Sequence, residues 1–245
     1  MDKFLYVSMS GAKETLRAQT ANSHNLANAS TTGFRADLSA FQSRAVAGSG
    51  YASRVYAQNS TTGWDHQVGA QMYTGRDLDV AVQGDGFIAV QGRDGREAYT
   101  RGGDLIIDAN GQLMTKTGLP VMGDGGPMSV PPNNSLTIGP DGTISIVPQG
   151  QGSETTASIG RIKLVNPGNE NLDRGEDGLF RMIDGSDAPA EANTRISPGA
   201  LEASNVNAAE SMVNMIELAR HFDLQIKAIK TAEDTGAASA QLLRA

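Results

Sequence analysis

Cysteine is absent from this chain of 245 residues, which excludes disulfides, thiolate metal sites and cysteine nucleophiles. Aromatic residues are scarce, at 5%, with Trp64 the single tryptophan, and hydrophobic residues reach only 39%. That supply predicts a modest core for the length, part of it in thin layers, and few platforms on which a sugar could stack. No run approaches the roughly 18 apolar residues of a membrane span, so direct membrane insertion is not expected. The segment Met1 to Ser8 has no apolar h-region and no cleavage site, so any export is expected to proceed without a cleaved signal. A basic stripe is also missing. Residues 31–200 carry 13 basic and 19 acidic side chains, which accounts for most of the net charge of −7. Nucleic acid is therefore not an expected partner.

Catalytic and metal constellations are equally lacking. His24, His66 and His221 are scattered, and neither His24 nor His221 has a second histidine at i+4, so no metal site is expected. Asp108-Ala109-Asn110-Gly111 begins like a calcium loop but lacks the later acidic ligands, and a hairpin turn accounts for it. Gly84-Asp85-Gly86 has neither the spacing nor the strand–helix context of a phosphate loop. Carboxylates are plentiful, yet most sit beside glycine in predicted turns, where a solvated role suffices. No cofactor is expected.

What is present is a pair of heptad stripes at opposite ends. Leu5, Met9, Ala12, Leu16, Gln19, Ser23 and Leu26 recur in steps of four and three, and Ala208, Met212, Met215, Ala219, Phe222, Ile226 and Ile229 repeat the pattern. Such a period asks for another helix against it. Several seam positions hold Ala, Gln or Ser, so the seam is thin and further partners are expected to complete it. Residues 3–28 read as one helix, with Asn28 to Gly33 breaking it. Phe34, Leu38, Phe41 and Ala45 suggest a second, short helix, ended by Gly48-Ser49-Gly50. The polar stretch 51–80, with Tyr51, Val55 and Tyr56 as isolated anchors, reads as an extended connector. From Leu78 short apolar runs alternate with glycine turns: Asp79–Val82, Phe87–Val90, Leu105–Ile107, Leu136–Ile138, Ile144–Val147, Ile162–Val165 and Leu179–Ile183. The punctuation by Asp94-Gly95, Asn110-Gly111, Asp141-Gly142 and Asp177-Gly178 predicts antiparallel hairpins in a barrel or sandwich. Asn207 with Glu210 predicts a capped start to the last helix, which Leu242-Leu243 suggest can run on past Gly236. Both terminal helices are expected to be marginal alone in water.

The expected fold class is therefore α+β: terminal helices packing as a coiled-coil-like inner domain around a Gly-rich antiparallel β domain. The expected boundaries are an N-terminal helix over 1–33, a short helix and connector over 34–80, a β domain over 81–200 and a C-terminal helix over 201–245.

Three blocks carry a resemblance. Ser23-His24-Asn25-Leu26-Ala27-Asn28-Ala29-Ser30-Thr31-Thr32-Gly33-Phe34 resembles the N-terminal signature of flagellar rod and hook proteins. Gly84-Asp85-Gly86-Phe87, followed by Ala98-Tyr99-Thr100-Arg101-Gly102-Gly103, is similar to their β-domain signature. Leu201-Glu202-Ala203-Ser204-Asn205-Val206-Asn207, with Glu210, Met215-Ile216, Arg220 and Phe222, resembles their C-terminal motif. The blocks stand in family order and reach from end to end. Length, Gly33-Phe34-Arg35-Ala36, Pro140-Asp141-Gly142-Thr143 and Asp177-Gly178-Leu179-Phe180-Arg181 favour the proximal-rod branch over the distal rod and the hook. The resemblance implies a self-assembling structural protein, not an enzyme. It implies passage through the flagellar type III export apparatus, and partnership with its own copies and other rod proteins in the basal body. The motif residues it marks are Asn25, Leu26, Ala27, Asn28, Thr32, Gly33, Phe34, Ser204, Asn205, Val206 and Asn207. The expected assembly seam is Leu5, Met9, Ala12, Leu16, Leu26, Ala208, Met212, Met215, Ala219, Phe222, Ile226 and Ile229. Two rival readings stand beside it, an extracellular β-domain binding protein with a helical stalk and a hydrolase using a carboxylate pair; the first calls for a secretion signal and a ligand groove, the second for turnover that depends on one carboxylate.

Overall fold

A computed structural model describes residues 3–45, 55–150 and 155–242. Met1-Asp2, Gly48-Ser49-Gly50, Tyr51 and Leu243 lie outside the described residues. The fold is α+β, with one long helix near each end and antiparallel strands between. It divides into two compact units, one of Met1–Ala29, Ala36–Asp65 and Val206–Ala245, the other of Ser30–Arg35 and His66–Asn205.

The first unit holds helix α1 (Lys3–Ala27), strands β1 (Asp37–Ala45) and β2 (Val55–Trp64), and helix α2 (Ala208–Leu242). Free of proline and interrupted only by Gly11, the α1 sequence propagates for about 37 Å. It stops at Asn28, whose side-chain amide donates to the His24 carbonyl at 2.9 Å, occupying an acceptor the helix end would leave open. The start of α2 is fixed by Asn207, whose Oδ1 accepts from the Ala209 and Glu210 amides at 3.1 and 3.3 Å, as an N-cap should. The two helices run antiparallel: the Asn22 amide donates to the Ser211 carbonyl at 2.7 Å, and Gly11 faces the Gln225 side chain. With 35 residues against 25, α2 outruns α1, and residues 233–242 are exposed.

The short helix expected over 34–45 is instead strand β1, which pairs with β2 from Asp37↔Trp64 to Ala45↔Val55. Correspondingly, the connector contains β2. The spacing that suggested a helix rested on Leu38 and Phe41, which are 43% and 52% exposed. No packing enforces a helical period on side chains that face solvent, whereas cross-strand pairing with residues 10–27 positions away decides the backbone. The β2 edge is covered by α1. The Glu14 carboxylate accepts the Asn59 N–H at 3.2 Å, and the Ser10 hydroxyl donates to the Ala57 carbonyl at 3.5 Å. Groups that could recruit a further strand are thus occupied.

The second unit is the β unit. Its widest sheet is five-stranded and antiparallel, in the order Leu164–Val165, Phe87–Gln91, Glu97–Thr100, Phe180–Met182, Leu172–Arg174. A three-stranded sheet joins Asn133–Ile138, Thr143–Pro148 and Ala157–Arg161, and two-stranded ribbons complete the unit. All seven expected apolar runs contain strand residues. Inward residues of these strands, among them Val80, Val82, Ile88, Val90, Leu105, Ile144 and Ile196, form one apolar cluster. The Tyr99 hydroxyl, buried beside it, accepts the Ala188 N–H at 2.6 Å, and burial pushes its phenol above the usual range. Glycines 95, 111, 142 and 178 all have positive φ, as the tight turns at their Asp-Gly and Asn-Gly pairs require.

Those turns also carry a common electrostatic signature. The hydroxyl and amide of Thr143 hold Asp141 below the usual carboxylate range, and the Arg181 guanidinium does the same for Asp177. Asp94, Asp108 and Asp184 are lowered by comparable bonds, to Arg96, to the Gln112 amide and to the Ser186 amide. A carboxylate whose folded pKa is depressed contributes stability above its unfolded value, and loses it as pH falls through the folded one. The thermal midpoint of the β unit is therefore expected to stay level from neutrality to about pH 5 and to drop below about pH 4. Asp177→Asn should flatten part of that acid limb in a pH series of calorimetric melts; an unchanged limb would refute the assignment.

Candidate functional site

Two regions gather the residues that the sequence singled out, one in each unit. In the helical unit α1 buries Ser8, Gly11, Ala12, Glu14, Thr15 and Ala18. These side chains are small or hydrogen-bonded, and they lie on the stripe shared by α2 and the hairpin. Small residues let the helix approach closely; a Cβ at Gly11 would press on Gln225. The consequence is that large apolar residues are turned outward. Met9 is 53% and Leu16 47% exposed on α1, and Met212, Val213 and Ile216 are 55–56% exposed on α2. Of the twelve seam residues, Ala12 is buried. Leu5, Leu26, Ala208, Met215, Phe222, Ile226 and Ile229 are half-buried, and Met9, Leu16, Met212 and Ala219 are exposed. The residues α2 keeps from solvent are Ala208, Ser211, Met215, Leu218, Phe222, Gln225, Ile226, Ala228, Ile229 and Ala232. They include five positions of the expected seam, and Ser211 and Leu218 replace the exposed Met212 and Ala219 by a displacement of one residue.

The motif residues near the end of α1 hold the hairpin root. Asn25 bonds both backbone groups of Asp37, donating to its carbonyl at 2.9 Å and accepting from its amide at 2.8 Å. His24 Nδ1 lies 2.7 Å from the Asp37 carboxylate. Leu26 is half-buried, Ala27 exposed and Asn28 half-buried.

In the β unit the motif residues Thr32, Gly33, Phe34, Ser204 and Asn205 lie about a buried ion cluster. Glu202, with a side chain 0% exposed, lies 2.8 Å from Arg35 Nη2 and 2.6 Å from Arg101 Nη2. The Gly69 amide donates to the same carboxylate at 3.0 Å. Arg101 spends its other donors on the carbonyls of Gly84, Gly86 and Val82, and its guanidinium lies 5.7 Å from the centre of the Phe87 ring. Above this cluster runs the Thr32-Gly33-Phe34 segment. The Gly33 N–H donates to the Glu202 carbonyl at 2.8 Å, and the Asn205 N–H to the Phe34 carbonyl at 3.3 Å. The Asn205 side chain reaches the Gln67 carbonyl at 3.0 Å. The Arg174 guanidinium stacks 4.7 Å from the Phe34 ring centre and donates to the Arg35 carbonyl. Thr32, Ser204 and Val206 are half-buried. Arg101 and Glu202 stand within the three blocks and Arg35 directly after the first, but the sequence alone does not single them out. Their opposite charges are the signal, and nothing local says that residues so far apart in sequence meet.

Among the described residues no group of three His, Cys, Asp or Glu could hold a metal ion, and no helix is long and apolar enough to cross a membrane. The arrangement binds segments of protein to one another.

Comparison with known proteins agrees with that chemistry. Residues 5–35 match the family of flagella basal body rod proteins, 81–146 the D1 domain of flagellar hook protein FlgE/F/G, and 197–242 the C-terminal region of flagellar basal body rod FlgEFG proteins. The chain is 43% identical over 249 residues to the flagellar basal-body rod protein FlgF of Escherichia coli (strain K12), covering 99% of each. It is equally similar, over the same coverage, to FlgF of Salmonella typhimurium. It is 30% identical over 257 residues to the basal-body rod protein FlgG of Bacillus subtilis, covering 96% of each.

Gly33 supplies the sharpest test of the junction. Its φ is +67°, and a Cβ there would collide with the Arg101 and Gly102 backbone. Gly33→Ala should lower stability by about 2 kcal/mol or more, from left-handed strain plus overpacking. Urea unfolding monitored at the β unit measures this; a loss near zero would show that the segment does not pack there in solution.

Proposed function

The chain belongs to the flagellar basal-body rod protein family and is a structural subunit of that rod; from this we propose that it polymerises, with its own copies and other axial proteins, into the shaft that carries torque across the periplasm. We place it in the proximal rod. The family is one of structural proteins and its members are located in the basal body. Delivery through the flagellar type III export apparatus, without a cleaved signal, belongs to the same proposal.

The observation that carries this reading is the outward apolar stripe on both helices of one subunit. Met9, Leu16, Met212 and Ile216 are about half exposed, on helices whose inner faces are already taken by small residues and by the hairpin. Covering the exposed half of such a side chain is worth roughly 1 kcal/mol, and several covered together by a neighbouring helix bundle would offset the ordering of long, thinly packed helices. The unpaired last turns of α2 add to the surface available. A contact between different faces of identical subunits does not close on itself, and so builds a helical filament. The expected seam residues Leu5, Met9, Ala12, Leu16, Leu26, Ala208, Met212, Met215, Ala219, Phe222, Ile226 and Ile229 divide in this proposal. The half-buried ones join α1 to α2, and the exposed ones meet neighbours.

The test is a double substitution, Met9→Glu with Leu16→Glu, carried by a strain lacking the native gene. Surface changes of this kind leave monomer stability within about 1 kcal/mol. The expected result is a folded chain, no motility, and isolated basal bodies that stop within the rod. Normal rods built from the double variant would overturn the proposal.

A further inference from the structure

We propose that residues 33–35 are the cis occupant of a peptide-binding site on the β unit, a site that reads Gly-Phe-Arg and can open while the β core stays folded. The site has three subsites, each with its own chemistry. The Arg101–Gly102 backbone lies where a Cβ on Gly33 would be, so the first position admits glycine alone. The Arg174 guanidinium, 4.7 Å from the Phe34 ring, takes an aromatic at the second. The buried Glu202 carboxylate, 2.8 Å from Arg35, takes a guanidinium at the third. Backbone bonds from Gly33 to Glu202 and from Asn205 to Phe34 fix the register.

Three observations make this segment a strap. First, residues 30–35 are separated from the rest of the β unit by residues 36–65, which belong to the other unit. Second, none of them contributes to the apolar core cluster, so releasing them uncovers no core side chain of that cluster. Third, Glu202 is not orphaned by release. It keeps Arg101 at 2.6 Å and the Gly69 amide at 3.0 Å, while Arg35 leaves with the strap and is hydrated. A buried carboxylate that lost its last counter-charge would resist opening; this one retains a guanidinium. The latch residues Glu202 and Asn205 also lie at the far end of the unit's sequence.

Amide hydrogen exchange on the full chain decides the matter. Gly33 and Asn205 are expected to exchange through an opening that leaves Gly69, Ile88 and Val90 protected. Phe34→Ala and Arg35→Met should each accelerate exchange at Gly33 and Asn205 by roughly 10- to 100-fold, with the Ile88 and Val90 amides unchanged. A labelled synthetic peptide covering residues 29–37 should be captured by the Arg35→Met chain and not by the wild type. The same peptide carrying Met in place of its arginine should not be captured. Joint exchange of strap and core amides in the wild type and both variants, or absence of peptide capture, overturns the proposal. If Arg35→Met fails to fold, Phe34→Ala, which leaves every buried charge paired, settles the question by exchange alone. The readout is taken on the unassembled chain, so a defect in rod building does not affect it.

Discussion

A carboxylate sealed from water must find its counter-charges inside the fold, and Glu202 finds them on segments that local sequence could never bring together. Arg35 comes from the N-terminal segment matched by the rod family, Arg101 from the D1 segment, and Glu202 itself from the C-terminal one. Desolvating three charges costs several kcal/mol per ion before any attraction is counted. The cluster is tolerable because nearly every donor of Arg101 is matched, three of them by carbonyls of Val82, Gly84 and Gly86. Gly84 and Gly86 lie in the turn between strands Val80–Gln83 and Phe87–Gln91, and Val82 in the first of those strands. The ion cluster therefore fixes the geometry of that strand-to-strand turn as well as the chain segments beside it. Its value lies in specificity more than in net stability, since an apolar core of equal volume would give comparable energy without dictating which segments meet.

The helical unit solves a different problem with the opposite means. Its contacts are made by residues too small to contribute much apolar area: Ser8, Gly11, Ala12, Thr15 and Ala18 on α1. Close approach and hydrogen bonds, such as Asn22 to Ser211, align the helices, while the larger side chains face away. A bundle arranged like this keeps much of its hydrophobic driving force unspent within the subunit. For a protein that polymerises, that reserve is what makes assembly favourable; for a monomer it would be a liability.

How much of this was legible depended on whether the signal was local. The β unit was readable because each strand is short and each turn announces itself. Asp141-Gly142 and Asp177-Gly178 mark reversals, and both glycines adopt positive φ. The capped start of α2 was readable for the same reason, since Asn207 bonds amides two and three residues on. The hairpin of β1 and β2 was not. Leu38 and Phe41 mimic a helical stripe, and the partner strand that overrules them begins beyond residue 54. The Glu202 cluster was the least legible, because its members are ordinary charged residues until the topology places them together. The seam fell between these cases. Its period was visible, but the choice between Met212 and Ser211, or Ala219 and Leu218, as inward residues depends on how far the helix is rotated. Rotation is set by what packs on the other side.

The motif residues and the exposed apolar residues are almost disjoint sets, and this bears on what a signature match means. Asn25, Asn28, Gly33, Phe34, Asn205 and Asn207 are engaged in bonds or packing inside the subunit, to Asp37, His24, Glu202, Arg174, Gln67 and the first turn of α2. Met9, Leu16, Met212 and Ile216, which have the area to hold a neighbour, are mostly unmarked by the signature. In this chain the motif residues therefore build the subunit itself, rooting its hairpin and closing its junction. The exposed apolar residues are a different set, and under the proposed function it is on them that neighbours would dock.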